Sequence, residues 1–231
     1  MERAPNVASS PSIGSAVMVD PSVEIRQMWN RLAGRGHEAI VDDLLLRHAE
    51  LHRHYHTAHH LRWVLRHVRE LMRTDPAATH LRADDREDIV AAAMFHDVIY
   101  CPKSRTNEAD SARLATSRLA NIGWSAERLT HVAMLIEATA NHEATAPDEA
   151  ILLDADLAIL GASPSSYLLY VAEVREEYNH VSDPQWRLGR TAVLTTFLER
   201  PHVFATETMR ADRERQAQTN LSSELHRLGA R

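Results

Sequence analysis

Ile89 to Val98 reads Ile-Val-Ala-Ala-Ala-Met-Phe-His-Asp-Val, so His96 and Asp97 stand side by side at the end of an otherwise apolar run. A run this apolar belongs in a core, where an ionised carboxylate without a partner costs roughly several kcal/mol. A divalent cation partners imidazole and carboxylate at once, so the doublet asks for a metal. Neighbours on a helix point about 100° apart, and two such side chains meet one ion only at the helix edge. The remaining ligands must come from elsewhere in the chain.

Composition narrows the kind of core. The 231 residues are 44% hydrophobic and 25% charged, enough for one domain with a sizeable interior, and seven glycines and nine prolines leave little material for a strand-and-turn architecture. Apolar residues recur at helical spacing. Ile25, Met28, Trp29 and Leu32 make one stripe, ended by Gly34 and Gly36; Ile40, Val41, Leu44, Leu45, His48 and Leu51 make the next; Leu61 to Met72 marks a third before Pro76. The doublet-bearing helix begins near Asp84, and Asn107 and Ser125 look like the caps of the two helices after it. Pro147-Asp148-Glu149 opens a helix read as far as Gly161, Ser163-Pro164 and Asp183-Pro184 repeat a cap-then-proline start, and a last amphipathic stretch ends near Leu228-Gly229. The expectation is an all-α, single-domain helical bundle: a leader over 1–20 without a signal-peptide core, then one domain over 21–231, with the site-bearing part at about 53–160 and helices 163–231 packed on it.

The net charge of -6 argues against a general nucleic-acid surface, and Arg62, Arg66, Arg69 and Arg73 read as solvated helix-face residues. No apolar run is long enough for a membrane span. The lone Cys101 excludes an internal disulfide and fits a reducing, cytoplasmic setting. Tyr167, Tyr170 and Tyr178 follow helical spacing and are expected in the core, while Arg175 and Arg190 read as surface ion-pair partners. Homo-oligomerisation is compatible with the pattern.

Two places can supply the missing ligands. His52, His54, His56, His59 and His60 cluster at the entrance to the third helix, and His56 and His60 share a face if the helix includes both. Asp154 and Asp156 interrupt the apolar segment Leu152 to Leu160, with Asp156 the preferred ligand because no Lys or Arg lies nearby in sequence. Glu108 and His142 join Asp154 as candidates for a second ion or for substrate contacts.

Histidine, then His-Asp, then a later aspartate, all on helices, resembles the HD-domain superfamily of metal-dependent phosphohydrolases. Tyr55-His56-Thr57-Ala58-His59-His60 followed by Val64 is similar to the tyrosine-histidine-asparagine-x-x-histidine-x-x-x-valine signature of its cyclic-nucleotide phosphodiesterase branch, with Thr57 in place of asparagine. Ala155-Asp156-Leu157 resembles that branch's later alanine-aspartate-leucine. With Asn107-Glu108, Ser111-Ala112, Leu160-Gly161, Glu177-Tyr178 and Asn220-Leu221 added, the chain resembles a bacterial family of predicted HD phosphohydrolases of about this length.

The resemblance implies that His60, His96, Asp97 and Asp156 hold the metal, that Asp97 also orients the attacking water, and that His56 protonates the leaving oxygen. If the helix begins differently, His56 and His60 exchange roles. The mixed nitrogen and oxygen ligand set suits one or two ions of Mn, Fe, Co, Ni, Zn or Mg. The implied substrate is a small phosphate ester, a nucleotide or related metabolite; the chain is too short for a phosphodiesterase catalytic domain, so cyclic-nucleotide specificity is not implied. Two other readings share the layout: a non-catalytic metal- and nucleotide-binding module, and a di-iron oxygenase.

Overall fold

The computed structural model describes residues 20–229, in which ten α-helices and two short 3-10 segments account for the regular structure and no strand occurs. The expected leader lies outside the described residues, apart from Asp20. Helices α1 (Pro21–Ala33), α2 (Glu38–Arg47) and α3 (Ala58–Thr74) come first, with a 3-10 segment at Pro76–His80 leading into α4 (Ala83–Phe95). Then follow α5 (Asn107–Ala120), α6 (Ala126–Ala138), α7 (Pro147–Asp156), a 3-10 segment at Leu157–Gly161, α8 (Pro164–Glu177), α9 (Asp183–Glu199) and α10 (Glu207–Leu228).

The bundle is organised around α4. Ile89, Ala91, Ala92, Ala93, Met94 and Phe95 are all buried, as expected of a helix that is apolar on every side. Its alanines let neighbours come close, and α3, α6 and α7 all pack against it. Helix α3 is amphipathic instead: His60, Leu61, Val64, Leu65, Val68 and Leu71 face inward, while Arg66 pairs with Glu24 and Arg73 with Glu70 at the surface.

Proline starts fall where local chemistry places them. Asp20 and Ser163 accept hydrogen bonds from the first-turn amides of Ser22 and Ser166, ahead of Pro21 and Pro164. Ser125 caps α6 in the same way. Three boundaries differ from expectation. Helix α2 stops at Arg47, leaving Leu51 98% exposed beyond the stripe that had included it. Helix α9 has Ser182 at its cap and Asp183 in its first turn. Asn107 is the first residue of α5, and its side chain instead closes the preceding loop, accepting from the Cys101 amide and donating to the Cys101 carbonyl.

The segment expected as one helix from Pro147 to Gly161 tightens to 3-10 geometry after Asp156. The cause is α10, which packs directly on it: Asn220 Nδ2 donates to the carbonyls of Leu160 and Ala162, and Gly161 lies against Arg213. Among the described residues no single helix is long and apolar enough to cross a membrane.

Candidate metal centre

Four buried or nearly buried side chains from three helices converge where α4 ends. His96 is the C-terminal cap of α4 and Asp97 follows it, so the doublet sits where the helix stops rather than on its side. His60 comes from the first turn of α3, and Asp156 is the last residue of α7, at the seam with the 3-10 segment. His60 Nε2 lies 3.4 Å from His96 Nε2, 3.4 Å from Asp97 Oδ2 and 3.2 Å from Asp156 Oδ1. His96 Nε2 lies 3.1 Å from Asp97 Oδ2 and 3.5 Å from Asp156 Oδ1.

These spacings fit a cation. Ligand atoms bound at about 2.1 Å are separated by roughly 3.0 Å on an octahedral edge and roughly 3.4 Å on a tetrahedral one. His96 Nδ1 lies 2.9 Å from the Ala93 carbonyl; donating its proton there leaves the Nε2 lone pair facing the cluster. His60, His96 and Asp97 form a group that could hold a metal ion, and it is the one such group among the described residues. Burial alone would raise the carboxyl pKa values of Asp97 and Asp156, but the imidazoles around them hold both well below the usual carboxylate range. Burial acts against charge on His60 and His96 too, and the two carboxylates override it, raising both.

His56 lies outside α3, which begins at Ala58, so it shares no helix face with His60; the two rings are nevertheless 5.4 Å apart. Its Nε2 is 3.9 Å from Asp97 Oδ2. What fixes the ring is Glu177, at the end of α8 and buried. Glu177 Oε2 accepts from His56 Nδ1 and from the Tyr100 hydroxyl, both at 2.7 Å, and Oε1 accepts the backbone amides of His54, Tyr55 and His56 at 2.9–3.0 Å. Burial pushes the Glu177 carboxyl up, yet these donors prevail and hold it at about 2. Arg53 ties the same loop to the turn after α4: its guanidinium donates to the carbonyls of His56, Asp97 and Val98.

The other expected residues divide. His142 Nε2 lies 2.9 Å from Asp156 Oδ2, on the side of that carboxylate away from His60. Glu108 lines the mouth of the cavity over the cluster. Asp154 is not at the site: its carboxylate accepts from the amides of Ala205 and Thr206 and from the Thr206 hydroxyl, anchoring the start of α10. On a helix, side chains two apart point roughly 200° apart and cannot be aimed at one point. From the histidine cluster, His54 and His59 remain at the surface, and His52 bonds the Tyr100 carbonyl.

Asp97, Asp156, His56 and His142 open onto one cavity of about 630 Å³. Its lining also includes the apolar Leu157, Ile159, Val193, Leu194 and Phe197. Tyr170 and Tyr178 line it as well, so only Tyr167 of the three tyrosines is fully in the core. Arg190, expected at the surface, is buried and paired with Glu224 at 2.9 Å.

No family model, curated protein or solved structure matches the chain.

Arg53 received no role from the sequence, and Glu177 entered only within the Glu177-Tyr178 motif of the resemblance, with no role attached. Glu177 follows Glu176 and precedes a tyrosine, and helical spacing alone does not separate a buried carboxylate from its solvated neighbour. The available signal was position: Glu177 closes a helix, where the chain turns back toward the histidine loop.

Proposed function

We propose that the protein is a metal-dependent hydrolase of a small phosphate ester, a nucleotide or related metabolite, with His60, His96, Asp97 and Asp156 as the ligands. The observation that carries the reading is the pairing of two devices on one cavity: a donor cluster with metal-ligand spacing, and a histidine whose rear nitrogen is fixed by a buried carboxylate. A cage built only to bind needs the first and has no use for the second.

When bound, a divalent cation supplies a water of lowered pKa and a positive charge against the phosphoryl oxygens. His60 and His96 hold it through Nε2, and Asp97 and Asp156 offset its charge. Asp97 Oδ2, between the ligand histidines and His56, orients the attacking water by accepting a hydrogen bond from it. His56 keeps Nδ1 on Glu177, so a proton carried at Nε2 faces the cavity and passes to the departing alkoxide oxygen. The apolar lining residues accommodate the organic part of the ester and exclude water from it. Nitrogen and oxygen donors together suit Mn, Fe, Co, Ni, Zn or Mg.

Protein stripped of metal and reloaded with Mn, Co, Ni or Zn is expected to release phosphate from members of a nucleotide and sugar-phosphate panel, and His96→Ala and Asp97→Ala to abolish it. His56→Ala is expected to lose about 10²-fold or more in kcat while retaining metal. Nucleotide binding without turnover under every metal would make the protein a binding module instead.

A further inference from the structure

We infer that Arg200 is a positioning residue: it locks the turn that presents His142 to Asp156, and so couples the cavity wall to the metal centre. This rests on the metal-centre part of the reading above, not on the identity of the substrate.

The turn needs holding. Helix α6 ends at Ala138, and four residues later His142 takes φ 52°, making it the one non-glycine residue with positive φ among the described residues. An L side chain adopts that region uncommonly, and although histidine tolerates it better than most, surrounding contacts are needed to hold it there. Here the strained residue is the one whose Nε2 meets Asp156 Oδ2 at 2.9 Å.

Arg200 supplies the contacts. Nη1 donates to the His142 carbonyl at 2.6 Å and Nη2 to the Asn141 carbonyl at 2.9 Å, a two-pronged grip on consecutive peptide units. The guanidinium carbon lies 4.7 Å from the centre of the Phe197 ring, and that ring meets the His142 imidazole edge-on at 6.2 Å. Sequence explains the reach of the arm. Pro201 disfavours helical geometry at the residue before it, so α9 ends at Glu199 and Arg200 turns extended, with ψ 151°.

The clamp has a functional direction because of where α9 lies. The same helix presents Val193, Leu194, Thr196 and Phe197 to the cavity. A molecule that fills the cavity presses on the helix whose end grips the turn, and occupancy is thereby passed to His142 and from it to Asp156. A lysine at this position keeps the charge but cannot span two carbonyls with a planar fork.

The test uses the full chain and manganese alone, with turnover as a separate readout. Arg200→Ala, Arg200→Lys, His142→Ala and the Arg200→Ala/His142→Ala double variant are titrated with Mn(II) by calorimetry, and the metal-free proteins are labelled with 15N-histidine for NMR. Each single variant is expected to weaken manganese binding about 10-fold or more, as loss of an outer support for a ligand does. In Arg200→Ala and Arg200→Lys the His142 resonance moves to the values of a free imidazole, and the double variant binds no more weakly than His142→Ala. The inference is overturned if Arg200→Ala keeps wild-type affinity and an unmoved His142 signal while only melting earlier, if the two losses add in the double variant, or if His142→Ala binds manganese normally. None of these readouts needs a substrate, so failure of the hydrolase reading would appear separately, as absent turnover with metal binding intact.

Discussion

Asp154 gives both carboxylate oxygens to the start of α10, whereas Asp156 gives one to His60 and His96 and the other to His142. On the proposed reading the two positions separate stability from metal binding. Asp154→Ala strands buried amide donors and is expected to cost about 2–3 kcal/mol in chemical denaturation, with manganese affinity unchanged in titration. Asp156→Ala should do the reverse, weakening manganese binding by about 10²-fold or more. A third buried group gives the protein an acid limb. Burial, and then the charge of Arg53, lower the His48 pKa to about 3, against roughly 6.5 in an unfolded chain. Below about pH 6.5 the unfolded chain takes a proton that the folded protein refuses until about pH 3. The stabilising contribution is thus complete above 6.5 and is lost as pH falls toward 3, with a limiting slope of about 1.4 kcal/mol per unit. Urea denaturation across that range should show a shallower acid limb for His48→Gln than for wild type; parallel limbs would refute the assignment. At this scale the sequence displayed the central ligand candidates, because a carboxylate and an imidazole beside an apolar run have few other partners. It did not show what Arg53 and Glu177 do, because their partners lie on chain segments far away in sequence.

Helix boundaries were legible where proline or glycine marks them and missed where tertiary contacts set them. Pro21, Pro147 and Pro164 each fix φ for a first turn, and at Asp20 and Ser163 a preceding side-chain oxygen also meets a free amide. The end of α7 is a tertiary event: 157–161 tighten because α10 lies across them. Gly161 makes that crossing possible. A Cβ there would stand 2.5 Å from Arg213 Cβ and 2.9 Å from its carbonyl oxygen, and backbone cannot step aside as a side-chain tip can. Gly161→Ala is expected to lower stability by about 1–3 kcal/mol and the melting temperature by several degrees. Scanning calorimetry decides this, and an unchanged Tm would mean that the crossing is looser than its geometry. The start of α3 at Ala58 was equally out of reach, because the buried Glu177 draws the three amides before it out of helical geometry.

For the molecule as a whole, the bundle was legible from helical spacing and sparse glycine, while the convergence of α3, α4 and α7 on one point was visible only as a demand made by the His-Asp doublet. On the proposed reading, a cation at that point would tie the three helices together and bind the folded chain alone. At about a hundred times its dissociation constant it should add roughly 2.7 kcal/mol. Melting temperature is expected to rise by about 5–10 °C with manganese, to fall back with EDTA, and to be indifferent to both in His96→Ala. Equal shifts in wild type and variant would place the binding elsewhere.

The order of those helices along the chain has a consequence for biosynthesis. His60, His96 and Asp97 emerge from the ribosome well before Asp156, and Glu177 later still. On the proposed reading, a nascent chain could begin to trap a cation with three donors, but would complete the grip only after α7 has been made and fix His56 only after α8. Ion capture would thus precede the arming of the proton donor.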